Sequence, residues 1–261
     1  VILGSNGESA LLDEDEKLRL IAAGVEAIDG RKVVMAGTGA ESTRATIAFT
    51  RRASELGIDY ALVVTPHYYK PRYDHAAYLA HYTAVADASP APVIVYVMAA
   101  YTGVDLAPSL VVDLSQHPNI VGVKDSGGNA PKVAEMVASA APEFGVLAGS
   151  ASFLYAALCL GATGGIVALG NVAPGLCKEL ARLFSAGEHD AARALQARLL
   201  APNAAVTSRF GIAGLKVALD AVGLRGGPPR PPLQPLSDRD AAEVCRVLDA
   251  AGIGPLDAAR A

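Results

Sequence analysis

The stretch IVGVKDSGGNAPKVAEMV, residues 120–137, contains two structural patterns in succession. An apolar run ends in Lys124, a short loop with two glycines follows, and apolar residues then return with helical spacing from about residue 130. The run is continuous rather than alternating, which is typical of a parallel strand covered on both faces. The stretch therefore predicts one strand–loop–helix unit of an α/β protein.

The same order recurs along the chain. Strands are predicted at Val1–Leu3, Val33–Ala36, Tyr60–Val64, Val93–Val97, Ile120–Lys124, Gly145–Ala148 and Thr163–Leu169. Helices are predicted after Asp13, which begins a capping box with Glu16, and at about Thr43–Leu56, Asp74–Ala88, Ala107–Gln116, Ala130–Ala141 and Ser152–Leu160. Such repetition predicts a (β/α)8 TIM barrel whose first β–α unit would precede Val1. A doubly wound open sheet is the alternative.

No strand is predicted after Asn171. Four helical patterns follow, at Leu176–Phe184, His189–Leu199, Ala213–Val222 and Ser237–Ala250. We therefore expect residues 1–171 to form the barrel, and residues 172–261 to supply its last helix and a C-terminal helical extension. The proline-rich segment GGPPRPPLQPL, residues 226–236, is either a stiff connector to the final helix or a polyproline ligand for a partner.

Composition excludes several classes of protein. The 261 residues are 52% hydrophobic, with a mean hydropathy of +0.32 and a net charge of -4, and no basic stripe favours nucleic acid or an anionic membrane. The longest apolar run, Val93–Tyr101, is far shorter than the roughly 20 residues of a membrane span. Three scattered cysteines indicate reduced thiols and a cytoplasmic protein. A mitochondrial location is the alternative if a transit peptide preceded Val1.

The common catalytic motifs are absent from the sequence. AGTGAES, residues 36–42, has Ser42 where the third glycine of a dinucleotide fingerprint belongs. Neither the five histidines nor the cysteines have metal-ligand spacing, and AGSAS around Ser150 differs from the GxSxG elbow of serine hydrolases. We therefore expect no metal and no organic cofactor.

Strand ends carry the chemistry of a barrel, and Lys124 is the lysine at such an end. Burial lowers the pKa of an amine, which then condenses with a ketone to form a Schiff base. A lysine that extends from the barrel mouth into water is the alternative.

Three further segments supply candidate side chains at strand ends. Tyr96 is a candidate proton shuttle, or a core tyrosine. Tyr68 or Tyr69 is projected outward from TPHYY, which is typical of an interface. In GSNGE, residues 4–8, Ser5 and Asn6 offer donors for a carboxylate, although a simple turn explains the motif as well.

Together these segments resemble the dihydrodipicolinate synthase / N-acetylneuraminate lyase family of Schiff-base, pyruvate-dependent aldolases. The matching segments run in order along nearly the whole chain: GSNGE, AGTGAESTRATI, VVTPHYY, HYTAVAD, LSQHPNIVGVKDSGGN, LAGSASFL and PNAAVTSRFGIAGLK. The resemblance implies a (β/α)8 barrel with C-terminal helices, a homo-oligomer (dimer or tetramer), pyruvate as a bound keto acid, and no cofactor.

The resemblance also implies a role for individual residues. Lys124 would form the Schiff base and Tyr96 would be the acid and base beside it. Ser5 and Asn6 would bind the substrate carboxylate, and the backbone of Ile166 would assist them. Tyr68 would extend into a neighbouring subunit and join the proton relay of Ser5 and Tyr96 there. Ser126 would line the far end of the substrate.

Within the family, the likeness is greatest to 4-hydroxy-2-oxoglutarate aldolase. Synthases of the family carry an arginine in a stretch like YNVPSRTG, where this chain reads YVMAAYTG with Tyr101 and Ala99. The predicted reaction is therefore cleavage of 4-hydroxy-2-oxoglutarate to pyruvate and glyoxylate. The alternatives are dihydrodipicolinate synthase, an aldolase or dehydratase of 2-keto-3-deoxy sugar acids, and a non-catalytic keto-acid-binding protein.

Overall fold

The computed structural model describes residues 1–256, in two compact units. The first unit comprises Val1–Leu147 and Leu160–Thr163, and the second comprises Ala148–Cys159 and the chain from Gly164 onward. The division that the sequence predicts at residue 171 stays a prediction, and residues 257–261 of the predicted helical extension lie outside the described residues.

Parallel strands form the centre of the first unit. They are β1 (Met35–Gly37), β2 (Tyr60–Val64), β3 (Val93–Val97), β4 (Ile120–Asp125) and β5 (Gly145–Ala148), side by side in chain order. Ile2 adds one parallel bridge to Ala36, at the outer side of β1. The α/β class and the parallel sheet are confirmed, and β2, β3 and β5 have the predicted bounds. Closure into an eight-stranded barrel, with a first unit before Val1, stays a prediction.

Helices alternate with these strands. They are α1 (Glu14–Ile28), α2 (Thr43–Glu55), α3 (His75–Ala88), α4 (Ala99–Thr102), α5 (Pro108–Leu114) and α6 (Ala130–Ser139). The predicted capping box begins α1, because Asp13 accepts the backbone N–H of Glu16 and Glu16 accepts that of Asp13. Asp29, with φ +48°, ends α1 in the left-handed conformation. The four-residue α4 was not predicted, since one turn has no measurable periodicity.

The second unit is mainly helical. It contains α7 (Leu154–Cys159), the short strand β6 (Gly164–Gly165), α8 (Pro174–Ser185), α9 (His189–Ala204), a π-helical turn (Ala205–Arg209), α10 (Gly211–Ala221) and α11 (Asp238–Ala250). The strand predicted over Thr163–Leu169 is therefore only two residues long. It gives way to a 3-10 turn at Ala168–Asn171, where the buried Leu169 accepts the N–H groups of Val172 and Ala173.

Close backbone contacts explain the glycines of AGTGA. A Cβ at Gly37 would lie 2.1 Å from the carbonyl oxygen of Leu3, and a Cβ at Gly39 would lie 2.7 Å from the amide nitrogen of Val64. These glycines let neighbouring backbones pack at the carboxyl end of β1. Their role is packing, which agrees with the absence of a dinucleotide fingerprint.

Replacing Gly37 by alanine should destabilise the first unit. Because the opposing atom is backbone oxygen, we expect Gly37→Ala to lower the free energy of unfolding by at least about 2 kcal/mol. Gly175→Ala is the matched control: its Cβ would have no atom within 4 Å and would lie inside α8, where alanine is the better helix former. Equal urea midpoints for the two variants would contradict the expectation.

Candidate active site

The pairing of β3 with β4 brings Tyr96 and Lys124 together. The two residues are register partners on adjacent parallel strands, one position before each strand ends. The Lys124 Nζ lies 3.9 Å from the centroid of the Tyr96 ring. Both residues are buried, with 5% of Tyr96 and 7% of Lys124 exposed. The expectation that Lys124 extends into water as a surface side chain is therefore wrong.

Burial sets the reactivity of Lys124. Loss of hydration lowers the pKa of its amine from 10.5 to about 8. At neutral pH about one amine in ten is then unprotonated, against roughly one in three thousand for an ordinary lysine. The neutral form carries the lone pair that attacks a carbonyl carbon. An amine with this pKa can act as a nucleophile near physiological pH.

Tyr96 is held by a hydrogen bond from a different part of the chain. Its hydroxyl lies 3.1 Å from the Ser5 hydroxyl. Burial raises the pKa of Tyr96, while the Ser5 and Ser126 hydroxyls lower it in part. The phenol therefore stays protonated at neutral pH, next to the amine, where it can donate a proton and take it back.

The backbone before Ser5 directs it toward Tyr96. Ile2 exchanges hydrogen bonds with the carbonyl of Met35 and the amide of Gly37, which fixes this segment along β1. Leu3 then adopts φ +59°, a left-handed conformation that is unusual for leucine, and the 3-10 turn Ser5–Gly7 follows. Ser5 and the half-buried Asn6 lie side by side in that turn.

Ser126 extends the pairing of the two strands and leaves a hydroxyl unused. Its N–H donates to the carbonyl of Val97 at 3.1 Å. Its Oγ is buried and makes no hydrogen bond of normal geometry to any residue between 1 and 256. The hydroxyl interacts with the Tyr96 phenol, whose pKa it lowers, and it retains the capacity to bind a polar group of a ligand.

An ion pair beside Lys124 escaped the sequence analysis. Asp125 is 1% exposed, and its Oδ2 lies 2.5 Å from the Nζ of Lys132, which also bonds Asp105. Its Oδ1 accepts the N–H of Gly127 at 2.8 Å. A signal was available in the sequence: Asn129 caps α6, so Lys132 falls in the first turn of that helix, directly after the strand–helix loop.

Two further predicted residues are Tyr68, in the first unit, and Ile166, in the second. Tyr68 is 75% exposed, and its turn is anchored by Glu41, whose carboxylate accepts the backbone N–H groups of His67 and Tyr68. Its role in a neighbouring subunit stays a prediction. Ile166 belongs to the second unit, where its N–H donates to the carbonyl of Ala148 at 2.9 Å. Its part in carboxylate binding also stays a prediction.

A cavity of about 300 Å³ adjoins Ser5 and Tyr96 in the first unit. Lys124 is not among its lining residues, so we do not assign the substrate to it. Within residues 1–256, no three His, Cys, Asp or Glu side chains are grouped as metal ligands, and no helix is long and apolar enough to cross a membrane.

Comparison with known proteins identifies the family. The profile of the dihydrodipicolinate synthetase family matches residues 1–251. The chain belongs to this family. Its members are lyases that carry out aldol-type condensation and cleavage. Two curated relatives are 4-hydroxy-tetrahydrodipicolinate synthases. The one from an Exiguobacterium species is 38% identical over 95% of this chain and 84% of its own length. The one from Xanthomonas campestris pv. campestris is 40% identical over 91% and 78%.

Solved structures of the family have the same fold. A chloride-inhibited dihydrodipicolinate synthase from Acinetobacter baumannii, complexed with pyruvate, has a TM-score of 0.91 at 31% identity, over 96% of this chain and 86% of the other. YagE, a prophage protein of the family from E. coli K12, also in complex with pyruvate, has a TM-score of 0.90 at 29% identity, over 97% and 86%. The family resemblance is thus confirmed. The relatives favour the synthase alternative over cleavage of 4-hydroxy-2-oxoglutarate.

The hydrogen bond between Ser5 and Tyr96 should support proton transfer. We expect Tyr96→Phe to slow the exchange of pyruvate methyl protons with D2O, followed by NMR, by about 10²-fold or more, because the variant has no proton to transfer. Ser5→Ala should cost about tenfold, since it removes one hydrogen bond to the phenol. Tyr60→Phe, at the opposite end of β2, is the control. Full exchange in Tyr96→Phe would rule out the acid/base role.

Proposed function

We propose that this protein is a pyruvate-dependent carbon–carbon lyase that forms a Schiff base at Lys124. One observation carries the proposal: a buried amine with a lowered pKa lies against a buried tyrosine at adjoining strand ends. Two solved relatives were crystallised with pyruvate, a ketone that such an amine attacks. A passive binding site has no need for an unprotonated amine, which argues against the non-catalytic alternative.

The first half of the reaction follows from these groups. The Lys124 nitrogen attacks C2 of pyruvate, and Tyr96 donates a proton to the oxygen, which leaves as water. The resulting protonated imine withdraws electrons, so that C3 loses a proton to the Tyr96 phenolate and an enamine forms. Ser5 keeps the phenol oriented, and Ser5 with Asn6 binds the carboxylate of pyruvate.

For the second half we propose the synthase reaction. The enamine carbon attacks the aldehyde of aspartate semialdehyde, and Tyr96 returns a proton to the new alkoxide. The amino group of the same substrate then attacks C2, displaces Lys124 and closes the ring. Pyruvate and aspartate semialdehyde give 4-hydroxy-tetrahydrodipicolinate and water. The names of the relatives support this choice.

Aldol cleavage is the second candidate, because of Tyr101. Its side chain is 54% exposed on α4, at the position where synthases carry an arginine. A phenol has no charge and cannot form the paired hydrogen bonds that a guanidinium makes to a carboxylate. In cleavage of 4-hydroxy-2-oxoglutarate, Tyr96 would take the C4 hydroxyl proton, C3–C4 would break and glyoxylate would leave. Tyr96 would then return the proton to C3 of the enamine, and water would hydrolyse the imine to pyruvate and free Lys124. The unused Ser126 hydroxyl is then available to glyoxylate.

Reductive trapping tests the Schiff base. With pyruvate and cyanoborohydride, we expect one reduced pyruvyl group on Lys124, located by peptide mass mapping. The trapping rate should rise with pH and be half-maximal near the pKa of about 8, because only the neutral amine attacks. Lys124→Ala should abolish the label, whereas Lys178→Ala, in α8, should retain it. A wild-type protein that stays unlabelled would overturn the proposal.

Steady-state assays separate the two reactions. The protein is tested with pyruvate plus aspartate semialdehyde, and separately with 4-hydroxy-2-oxoglutarate. We expect turnover in the first assay, and we expect Tyr101→Arg to lower KM for the semialdehyde about tenfold by adding a charge-assisted contact. Tyr69→Arg, on a different exposed tyrosine, is the control for added charge. Turnover confined to 4-hydroxy-2-oxoglutarate would reject the synthase and support the aldolase.

A further inference from the structure

A buried ion pair lies directly beside the proposed Schiff-base lysine. Asp125 follows Lys124 on β4, so their side chains leave opposite faces of the strand. Asp125 is 1% and Lys132 is 6% exposed, and the two charged groups are 2.5 Å apart. Buried charges are expensive unless they are paired, so Asp125 and Lys132 depend on each other.

Stability of α6 does not explain a lysine at position 132. Its backbone N–H donates to the Asn129 cap at 3.1 Å, which places it in the first turn of the helix. Positive charge is unfavourable at a helix N-terminus, where the macrodipole is itself positive. Lys132 is fixed instead by Asp125 and by Asp105, a carboxylate that is 55% exposed. Its ion pairs therefore fix the end of β4 and do not stabilise α6.

The charge of Asp125 matters for its neighbour. An unpaired carboxylate next to Lys124 would stabilise the ammonium form and reduce the fraction of neutral amine. Lys132 offsets the charge of the buried Asp125, and Asp105, its second partner, is more than half exposed and therefore screened by water. Asp125 also accepts the N–H of Gly127 at 2.8 Å, which fixes the loop that carries Ser126.

We propose that Lys132 is a positioning residue for the active site: it neutralises and fixes Asp125, and so keeps the adjoining Lys124 amine reactive. The inference rests on the proposed function, because it presumes attack by that amine. Lys132 itself touches neither pyruvate nor Tyr96 in this scheme. Its effect passes through the charge of Asp125 and through the loop from Asp125 to Gly127.

Other titratable groups near Lys124 are the same in every variant needed for a test. In the first unit, the phenol of Tyr96 lies against the amine. Asp125, Lys132 and Asp105 form the group on the other side of β4. Differences in the pH dependence of trapping among variants of Asp125 and Lys132 therefore reflect the charges of this group alone.

The test compares the pH of half-maximal pyruvate trapping among variants of the full chain. We expect Lys132→Met to raise the midpoint by about half to one pH unit, because Asp125 is left unpaired. We expect Asp125→Asn to lower it by a similar amount, because a negative charge beside the amine is removed while Lys132 keeps Asp105 as its partner. Lys132→Arg should keep the wild-type midpoint, since it restores the charge. The double variant Lys132→Met/Asp125→Asn should return to within about 0.2 pH unit of wild type.

Shifts of the trapping midpoint in opposite directions for Lys132→Met and Asp125→Asn distinguish an electrostatic role of Lys132 from a structural one. A loss of packing alone would lower the trapping rate of both single variants and leave their midpoints unchanged, and that result would overturn the inference. If Lys132→Met does not fold, Asp125→Asn decides: a lowered midpoint supports the inference and an unchanged one overturns it. A wild-type protein that is not trapped overturns the proposed function and the inference together, whereas a trapped wild type with equal midpoints throughout overturns the inference alone.

Discussion

One irregularity in the pairing of β3 with β4 sets the geometry on which the site depends. Val93 pairs with Ile120, but the next residue, Ile94, pairs with Gly122, so the register shifts by one residue between them. Without that shift, Tyr96 would lie opposite Val123 instead of Lys124. On the other side of β4, Gly122 allows a close approach of β5, because a Cβ there would lie 2.6 Å from the carbonyl oxygen of Gly145. The contact between amine and phenol is therefore built into the sheet.

Two buried lysines near the end of β4 show how neighbouring groups determine the protonation state of an amine. Lys132 has two carboxylates, Asp125 and Asp105, and its charge is compensated. Lys124 is 7% exposed, and loss of hydration destabilises its ammonium form although the face of the Tyr96 ring attracts it. A buried ammonium group is either paired with an opposite charge or deprotonated to the neutral amine. The first outcome gives a structural ion pair, and the second gives a nucleophile.

Local sequence signals predicted most of the fold and the two central side chains. Continuous apolar runs predicted the strands, and the Asp13–Glu16 pair predicted the start of α1. Lys124 and Tyr96 became candidate catalytic residues because they lie at strand ends. The hydrogen bond between Ser5 and Tyr96 joins residues 91 positions apart, so no local pattern contains it. The pairing of Lys132 with Asp105 and the register shift in β4 are likewise tertiary. Of the strand predicted at Thr163–Leu169, only Gly164–Gly165 is a strand in the structure, because small and apolar residues in sequence do not distinguish a strand from a tight turn.

The two candidate reactions share the proposed Schiff base at Lys124 and an enamine intermediate, which the synthase forms by deprotonating C3 of pyruvate and the aldolase forms by breaking C3–C4. The geometry of Lys124, Tyr96 and Ser5 therefore fits both. They diverge at the second carbonyl compound, where one reaction needs a site for a substrate with an amino group and a carboxylate, and the other needs a site for glyoxylate. The groups that choose between them are therefore peripheral: the Tyr101 phenol on α4 and the unpaired hydroxyl of Ser126. A change of one uncharged side chain to a guanidinium at such a position alters which carboxylate is held, without altering how the carbon–carbon bond is made. In the proposed function, substrate choice is thus separable from the Schiff-base chemistry.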